Sequence, residues 1–173
     1  MATVDTHLAV TSRRDERHYA HRPLPAGLVE RILDAGRLAG SARNRQPWRF
    51  LVADTPALRD ALAETVYAPE NVRTAALVVS IAVAGKGPTA FDAGRAAQNM
   101  LLVAWNEGVV STPNGLADPE RAARLLRLAG EEKLAIVLSF GFPARARDPQ
   151  SRSPEEWSAR AGRRPLAEVV ERL

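Results

Sequence analysis

The chain has 173 residues with 46% apolar content, which is ordinary for a globular core, so one domain over residues 1–173 is expected. It contains no cysteine, which excludes disulfides, thiolate zinc sites and a cysteine nucleophile. No apolar run reaches the ~18 residues of a membrane helix, and the N-terminal residues are polar and charged. A cytoplasmic protein with no signal peptide and no membrane contact is therefore predicted.

The net charge of +4 comes almost entirely from arginine, because Lys86 and Lys133 are the only lysines. Arginine's planar fork favours bidentate recognition of phosphate or carboxylate. His7, His18 and His21 lack the helical pair spacing of a zinc protease, so no metal site is predicted. A basic nucleic-acid-binding module is an alternative, but acids interleave with the arginines and no nucleic-acid motif is recognised.

A cluster of basic residues comes first along the chain, where Arg13, Arg14 and Arg17 surround Asp15 and Glu16. One interpretation is a solvated helix end in which the acids pair locally with the arginines. The other is an anion-binding cluster, since a buried phosphate needs several charge-assisted donors to replace its water.

Next, an apolar periodicity from Leu28 to Leu38 predicts a helix that leads into a polar turn from Gly40 to Trp48. Ser41, Asn44 and Gln46 are uncharged, and an amide offers both a donor and an acceptor. Such side chains suit the edge of a neutral heterocycle, although they could simply cap or turn the chain. Pro47 should bias Gln46 towards extended backbone.

Alternating and continuous apolar runs predict the elements that follow. Trp48 to Ala53 reads as a half-buried strand, and Thr55-Pro56 should start a helix over residues 57–66. Residues 75–84 suit a central strand buried on both faces. Phe91 to Glu107 reads as a long helix whose small inward residues would allow close packing against another helix.

The last third of the chain alternates turns with apolar segments. Residues 109–116 are predicted to be extended and to end in a Pro-Asn-Gly turn whose freed N–H groups could face a ligand. A helix to Leu128, a buried strand over residues 134–141 and a surface excursion over residues 144–161 follow. Ala167 to Leu173 reads as a final amphipathic turn or two.

The polar turn resembles the signature of the nitroreductase family of flavoenzymes, in which a Ser, an Asn and a Gln precede Pro-Trp. Arg13, Arg14 and Arg17 match the basic positions near the start of that family, and Arg163-Arg164 before Pro165 matches a late basic pair. The resemblance covers nearly the whole chain. Two features depart from the pattern: Asp15 replaces the usual serine, and the middle and C-terminal regions are short.

This resemblance implies an α+β fold, a three-layer α/β/α sandwich with a central mixed sheet, in a homodimer with FMN at the subunit interface. The long helix, Asp92 to Leu102, would form much of the dimer contact. The turn of one subunit would meet the arginine cluster of the other. The FMN-binding residues implied are Arg13, Arg14, Asp15, Arg17, Ser41, Arg43, Asn44, Gln46, Asn71, Thr112, Pro113, Asn114, Gly115, Arg163 and Arg164.

Individual roles also follow from the resemblance. The basic residues at both ends would bind the FMN phosphate, with Arg17 near the pyrimidine edge and the Thr112 to Gly115 segment near N5. Asn71 or Arg73 would lie near the pyrimidine. Asp15 cannot donate a hydrogen bond when ionised, so it is expected to orient an arginine or to meet a ribityl hydroxyl.

The implied activity passes hydride from NAD(P)H through flavin N5 to a small electron-poor acceptor, such as a nitroaromatic or quinone, by ping-pong alternation. No side chain is then needed as a catalytic acid or base, because the cofactor carries the chemistry. The alternatives are an FMN-binding protein with little turnover, acting as a flavin carrier, and a specialised reductase. A basic nucleic-acid-binding domain is a third, less favoured alternative.

Overall fold

The computed structural model describes residues 5–173, which form seven α-helices and four strands. The helices are α1 (Thr6–Ser12), α2 (Ala26–Arg37), α3 (Pro56–Ala63), α4 (Pro69–Arg73), α5 (Thr89–Asn106), α6 (Pro119–Leu125) and α7 (Pro154–Ala159). The strands are β1 (Trp48–Val52), β2 (Leu77–Val83), β3 (Val110–Asn114) and β4 (Lys133–Gly141). Short 3₁₀ turns occupy Ala42–Asn44, Pro149–Ser151 and Leu166–Glu168.

The four strands form one sheet in the order β1-β2-β4-β3. All seven residues of β2 are buried, which confirms the central strand predicted from its continuous apolar run. All three strand pairings are antiparallel. The resemblance implied a mixed sheet. Within residues 5–173, the only parallel pairing is a single bridge between Asp15 and Ser111.

Helices cover both faces of this sheet, so the predicted α+β sandwich of three layers is confirmed. Because side chains alternate along a strand, Leu77, Val79 and Ile81 pack with α2 and α5, whereas Val78 packs on the opposite face. That second core is closed by residues of α3, α4 and α6. No helix in the described part of the chain combines the length and the apolar character needed to cross a bilayer.

Small residues bring α2 and α5 close together. A Cβ on Gly36 would lie 2.1 Å from the terminal methyl of Met100 and 3.0 Å from the ring of Phe50. Ala93, Ala96 and Ala97 of α5 are buried in the same core. The predicted close packing of the long helix is therefore confirmed, and it fixes the end of α2 from which the polar turn departs.

Several predicted boundaries are corrected. The 57–66 helix ends earlier, at Ala63, and the expected Pro-Asn-Gly turn is wrong because Pro113 and Asn114 belong to β3. Proline is tolerated there because β3 is the edge strand of the four-stranded sheet, and the single bridge on its outer side is at Ser111 rather than at Pro113. The final amphipathic segment forms only one 3₁₀ turn, at Leu166–Glu168.

Two helices lie where the sequence predicted none. α1 is capped by Asp5, whose side chain accepts from the Leu8 N–H. α7 lies inside the segment interpreted as a surface excursion, and Ser153 and Glu156 form a capping box at its start. Both helices are short, and they pack against each other. Their stability therefore depends on a contact between the two ends of the chain rather than on local periodicity.

The backbone of residues 16–20 is tied to the sheet edge. The Glu16 N–H donates to the Ser111 carbonyl at 3.1 Å, and the Ala20 N–H donates to the Phe142 carbonyl at 2.8 Å. Between them, Tyr19 is buried against Gly141, where a Cβ would lie 2.8 Å from its ring. The arginine cluster is thereby fixed in position, because Arg17 lies within the tied segment and Arg13 and Arg14 come just before it.

Replacing Gly141 by alanine should lower the free energy of unfolding by about 1–3 kcal/mol, the usual cost of overpacking a filled site. Tyr19 cannot move aside without breaking the tie. Urea denaturation at a fixed protein concentration measures the change. Gly94→Ala is the matched control, because a Cβ there meets nothing within 4 Å and α5 gains a better helix former. Equal stability of the two variants would contradict the prediction.

Candidate cofactor-binding site

The arginine cluster folds back on itself and on α7. Arg13 donates through Nη2 to Asp15 Oδ1 at 2.9 Å, which is the orienting role expected for Asp15. Arg14 donates to the carbonyls of Thr11 and Arg13, and its Nη2 donates to the Trp157 carbonyl at 3.0 Å. Arg14 therefore joins the N-terminal segment to the helix near the C-terminus.

Two members of the cluster keep donors free. Arg13 Nη1 is buried and has no hydrogen-bond partner among the described residues, and only 15% of the Arg13 side chain is exposed. Arg17 is exposed and makes no hydrogen bond or ion pair within residues 5–173. A buried cationic donor without a partner is costly. The geometry therefore suits an added anion at this point.

The late basic pair, Arg163-Arg164, follows α7 and is exposed. Neither side chain pairs with another described residue, so both remain available. Trp157, six positions before Arg163, contacts Arg14 through its carbonyl. The Arg163-Arg164 pair therefore follows closely after α7, the helix that contacts the N-terminal cluster through Arg14.

Acidic neighbours neutralise other cations near this cluster. Burial opposes ionisation of Glu16, but the hydrogen bond and charge of Arg147, together with His18, bring the pKa of Glu16 below its ordinary value. Burial raises the pKa of Tyr19, which stays a neutral donor to the Ser139 carbonyl. Arg147 is thus paired with Glu16, whereas Arg13 keeps one guanidinium nitrogen without a partner.

The polar turn is strained. Arg43, Asn44 and Gln46 all have positive φ, at 54°, 54° and 50°. The expectation of extended backbone at Gln46 is therefore wrong: Pro47 disfavours the right-handed helical region, and the left-handed one is taken instead. Ser41 Oγ accepts from the Gln46 N–H at 2.8 Å and closes the turn. Non-glycine residues with positive φ cost about 1–3 kcal/mol each and cluster at functional sites.

The start of α5 supports this turn from below. The buried carboxyl group of Asp92 accepts from the Ala42 N–H at 3.3 Å. Arg95 packs under the turn so closely that a Cβ on Gly40 would lie 2.4 Å from its Nη2. The side chains of Asn44 and Gln46 remain exposed above this support. The turn thus presents its amides outward on a fixed base.

Four more predicted residues lie in or just after β3, beside α4. Thr112 and Asn114 point inward, whereas Pro113 and Gly115 are exposed. Asn71 of α4 donates to Asn114 Oδ1 at 3.1 Å, and Asn114 Nδ2 reaches Ser139 Oγ at 2.9 Å. Thr112 Oγ1 is fully buried and has no partner among the described residues. Of this set, only Pro113 and Gly115 offer surface directly.

Arg73, the other residue expected beside Asn71, is engaged elsewhere. Its guanidinium bonds to Glu70 and Glu64. Asn71 Oδ1, in contrast, accepts no hydrogen bond from any residue in the described range. Asn71 is therefore the one of the two with a free acceptor.

The structure separates the predicted site residues into two groups. The arginine cluster, Asn71 and β3 lie at one edge of the sheet, whereas the polar turn leads into β1 at the other edge. Three strand spacings separate these edges, or about 14 Å at ~4.8 Å per spacing. Within one chain, the polar turn and the arginine cluster therefore lie at opposite edges of the sheet.

Sequence reasoning missed three contributors to this site. Asp92 supports the turn, the Trp157 carbonyl anchors Arg14, and Tyr67 lies against Gly115. Each of these contacts joins residues that are more than 40 positions apart in the sequence. Ala42 and Asp92, for example, are 50 positions apart. Local patterns carry no signal for such contacts, although a carboxylate at the start of a helix rich in small residues hinted at Asp92.

Comparison with known proteins agrees with this geometry. The chain matches the model of the nitroreductase family over residues 10–86 and 84–142. It is 27% identical to an NADH dehydrogenase of Thermus thermophilus over 195 aligned positions, covering 90% of this chain and 95% of that protein. An Archaeoglobus fulgidus protein assigned as NADH dehydrogenase/NAD(P)H nitroreductase is 30% identical over 149 positions, covering 80% and 86%.

Solved structures give the same result. A nitroreductase-type protein of Desulfovibrio desulfuricans, solved in complex with FMN, superposes with a TM-score of 0.79 at 31% identity and covers 99% of this chain and 98% of its own. The NADPH:FMN oxidoreductase of Vibrio harveyi, complexed with NAD+, has a TM-score of 0.81 at 19% identity, covering 96% and 77%, and is evidence of fold alone. The family model, full-length relatives and solved neighbours agree, and this protein belongs to the nitroreductase family.

Proposed function

We propose that this protein is an FMN-dependent NAD(P)H oxidoreductase that works as a homodimer. The observation that carries the proposal is the division of the site between two sheet edges. One edge offers unpaired cationic donors for a phosphate, and the other offers outward amides for a ring. A second copy of the chain would supply the half that the first lacks.

The donor set fits FMN. Arg13 Nη1 would find in the phosphate the partner it lacks, and Arg17, Arg163 and Arg164 are free to add charge. At the ring, Asn71 Oδ1 would accept from an N–H of the pyrimidine. Bound FMN would supply hydride transfer at its N5 atom, and the protein would set its position and electrostatic surroundings.

The partner subunit would supply Ser41, Arg43, Asn44 and Gln46. Their turn is already fixed by Ser41 Oγ and Asp92, so little ordering would be needed on binding. Pro113 and Gly115 are exposed beside the ring position and leave its face open. No described side chain needs to act as an acid or base in this scheme.

An apolar groove favours the homodimer. It has a volume of about 1380 Å³, lies open to solvent between α2, α5 and β1, and is lined by apolar residues that include Leu33, Trp48, Phe50 and Leu102. Exposed apolar residues of the C-terminal segment, Leu166 and Leu173 among them, also lack cover in a single chain. Large uncovered apolar patches are typical of protein interfaces.

The reductant and the acceptor would enter the same open face in turn, which predicts ping-pong kinetics. NAD(P)H would donate hydride and leave, and a small electron-poor acceptor would follow. Purified protein incubated with FMN should retain flavin absorbance after desalting and oxidise NAD(P)H in the presence of a quinone or nitroaromatic. Parallel lines in double-reciprocal plots would agree with alternation. Bound flavin without turnover would instead favour the flavin-carrier alternative, and a colourless protein would contradict FMN binding.

Arg13→Gln should weaken FMN binding about 10- to 100-fold, because a hydrogen bond to a charged group contributes about 1.5–3 kcal/mol. Fluorescence titration of the apoprotein with FMN measures the dissociation constant. Arg124→Gln is the matched control, since Arg124 is an exposed arginine on α6 whose only partner among the described residues is Glu120, at 3.9 Å. Equal affinity of both variants for FMN would remove Arg13 from the site.

Two defective chains should complement each other if the site is shared. Arg13→Gln breaks one half-site and Asn44→Ala breaks the other, so each homodimer has no intact site. Each mixed dimer has one intact site in two, so the doubly tagged dimer should hold about half as much flavin as the wild-type dimer. Co-expression with two affinity tags and flavin quantification of the doubly tagged dimer measures the gain. No gain over either homodimer would place both halves within one chain.

A further inference from the structure

A second cavity lies beside the C-terminal end of α5. It has a volume of about 450 Å³, which falls in the range of ~300–1000 Å³ that is typical of small-molecule sites. Its apolar walls come from α5, from the start of β3 and from the segment after β4, and they include Trp105, Val110, Phe142, Pro143 and Pro149. It shares no lining residue with the apolar groove between α2, α5 and β1. None of the residues proposed above to bind FMN lines it, so it is a separate feature of the fold.

The outer wall of this cavity, residues 146–150, is held to the rest of the chain at two points. Arg147 is paired with Glu16, which precedes the segment tied to the sheet edge. The carbonyl of Pro149 accepts a hydrogen bond from Trp157 Nε1 of α7 at 2.8 Å. Walls that are already fixed in this way need little reordering when a ligand enters, which favours binding.

The charged groups around the cavity leave one cation without an anionic partner. Both acids are engaged: Glu107 pairs with Arg31 at 3.2 Å, and the carboxyl group of Asp148 accepts from a backbone N–H at 2.9 Å. Arg22 places its guanidinium carbon 4.1 Å from the centre of the Phe142 ring, and its side chain makes no hydrogen bond or ion pair within residues 5–173. A cation–π contact leaves the guanidinium N–H groups available to an oxygen acceptor. The charge at this cavity is therefore complementary to an anion.

We propose that this cavity binds a small organic anion, an arylalkanoate whose ring lies among the apolar walls and whose carboxylate is bound by Arg22. The aromatic walls, Trp105 and Phe142, favour a ring over an alkyl chain. The planar guanidinium of Arg22 can bind both oxygens of a carboxylate. An uncharged compound of the same shape would gain the apolar contacts without the charge-assisted hydrogen bonds. This site does not depend on the FMN-dependent function proposed above.

The three tryptophans of the chain show where a ligand binds. Trp105 lines the cavity, Trp157 is hydrogen-bonded to its outer wall, and Trp48 lines the separate apolar groove. Their indole N–H signals, assigned with single Trp→Phe variants, are followed by NMR while isotope-labelled full-length protein is titrated with hydrocinnamate or with its neutral amide. Hydrocinnamate should shift the Trp105 and Trp157 signals saturably and leave the Trp48 signal unchanged. The amide should bind about three- to tenfold more weakly, because it lacks the hydrogen bonds between opposite charges.

Arginine variants identify the group that binds the carboxylate. In Arg22→Gln, hydrocinnamate should bind only as tightly as the amide, and the affinity for the amide should not change. Arg145→Gln is the matched control, because Arg145 is an exposed arginine of the same segment that does not line the cavity, and it should keep the wild-type preference for the acid.

Several results would overturn the proposal. Equal affinity of the wild type for the two compounds, an unchanged preference in Arg22→Gln, or an equal loss of both compounds in that variant would remove Arg22 as the carboxylate ligand. Loss of the preference in Arg13→Gln would place the anion at the N-terminal arginine cluster instead. A shift of the Trp48 signal alone would place the ligand in the apolar groove, and no saturable shift with either compound would show that the cavity is closed to small molecules in the assembled protein.

Discussion

The order of the four strands determines how this protein can build a site. With β1 and β3 at opposite edges, the polar turn before β1 and the arginines beside β3 cannot meet within one chain. Both segments nevertheless keep polar groups that the described part of the chain does not cover or pair. The arginines leave a buried nitrogen unpaired, and the turn exposes its amides. In the proposed homodimer, closed symmetry would let each copy supply the segment that the other copy lacks.

The strain in the polar turn is the clearest sign that its shape is selected. Three of its residues adopt positive φ without being glycine, and only Arg127 does so elsewhere in the described range. Such strain persists when the surroundings over-determine it. Here Ser41 closes the turn and Asp92 binds its backbone from α5. The close packing of α2 on α5 through Gly36 therefore contributes indirectly to the geometry of the site.

Much of the fold follows from local patterns in the sequence. The continuous apolar run of β2 and the small residues of α5 predicted a buried strand and a closely packed helix, and both are present. The helices α1 and α7 were not predicted, because each is too short to show periodicity and is stabilised by packing on the other. Pro113 was misread as a turn residue, since an edge position cannot be recognised before the strand order is known.

The same distinction applies to the site. Residue types alone identified the arginines and the amides as candidate ligand-binding groups. They did not show which of these side chains keep a donor or acceptor without a partner in the fold. The amide group of Asn114 is hydrogen-bonded to Ser139 and Asn71, and the guanidinium group of Arg73 is hydrogen-bonded to two glutamates. A side chain with satisfied hydrogen bonds can position its neighbours, but binding a ligand through those same groups requires breaking existing bonds. Under the proposed function, ligand recognition at the β3 edge would therefore use groups that keep a donor or acceptor without a partner, such as those of Arg13, Arg17 and Asn71.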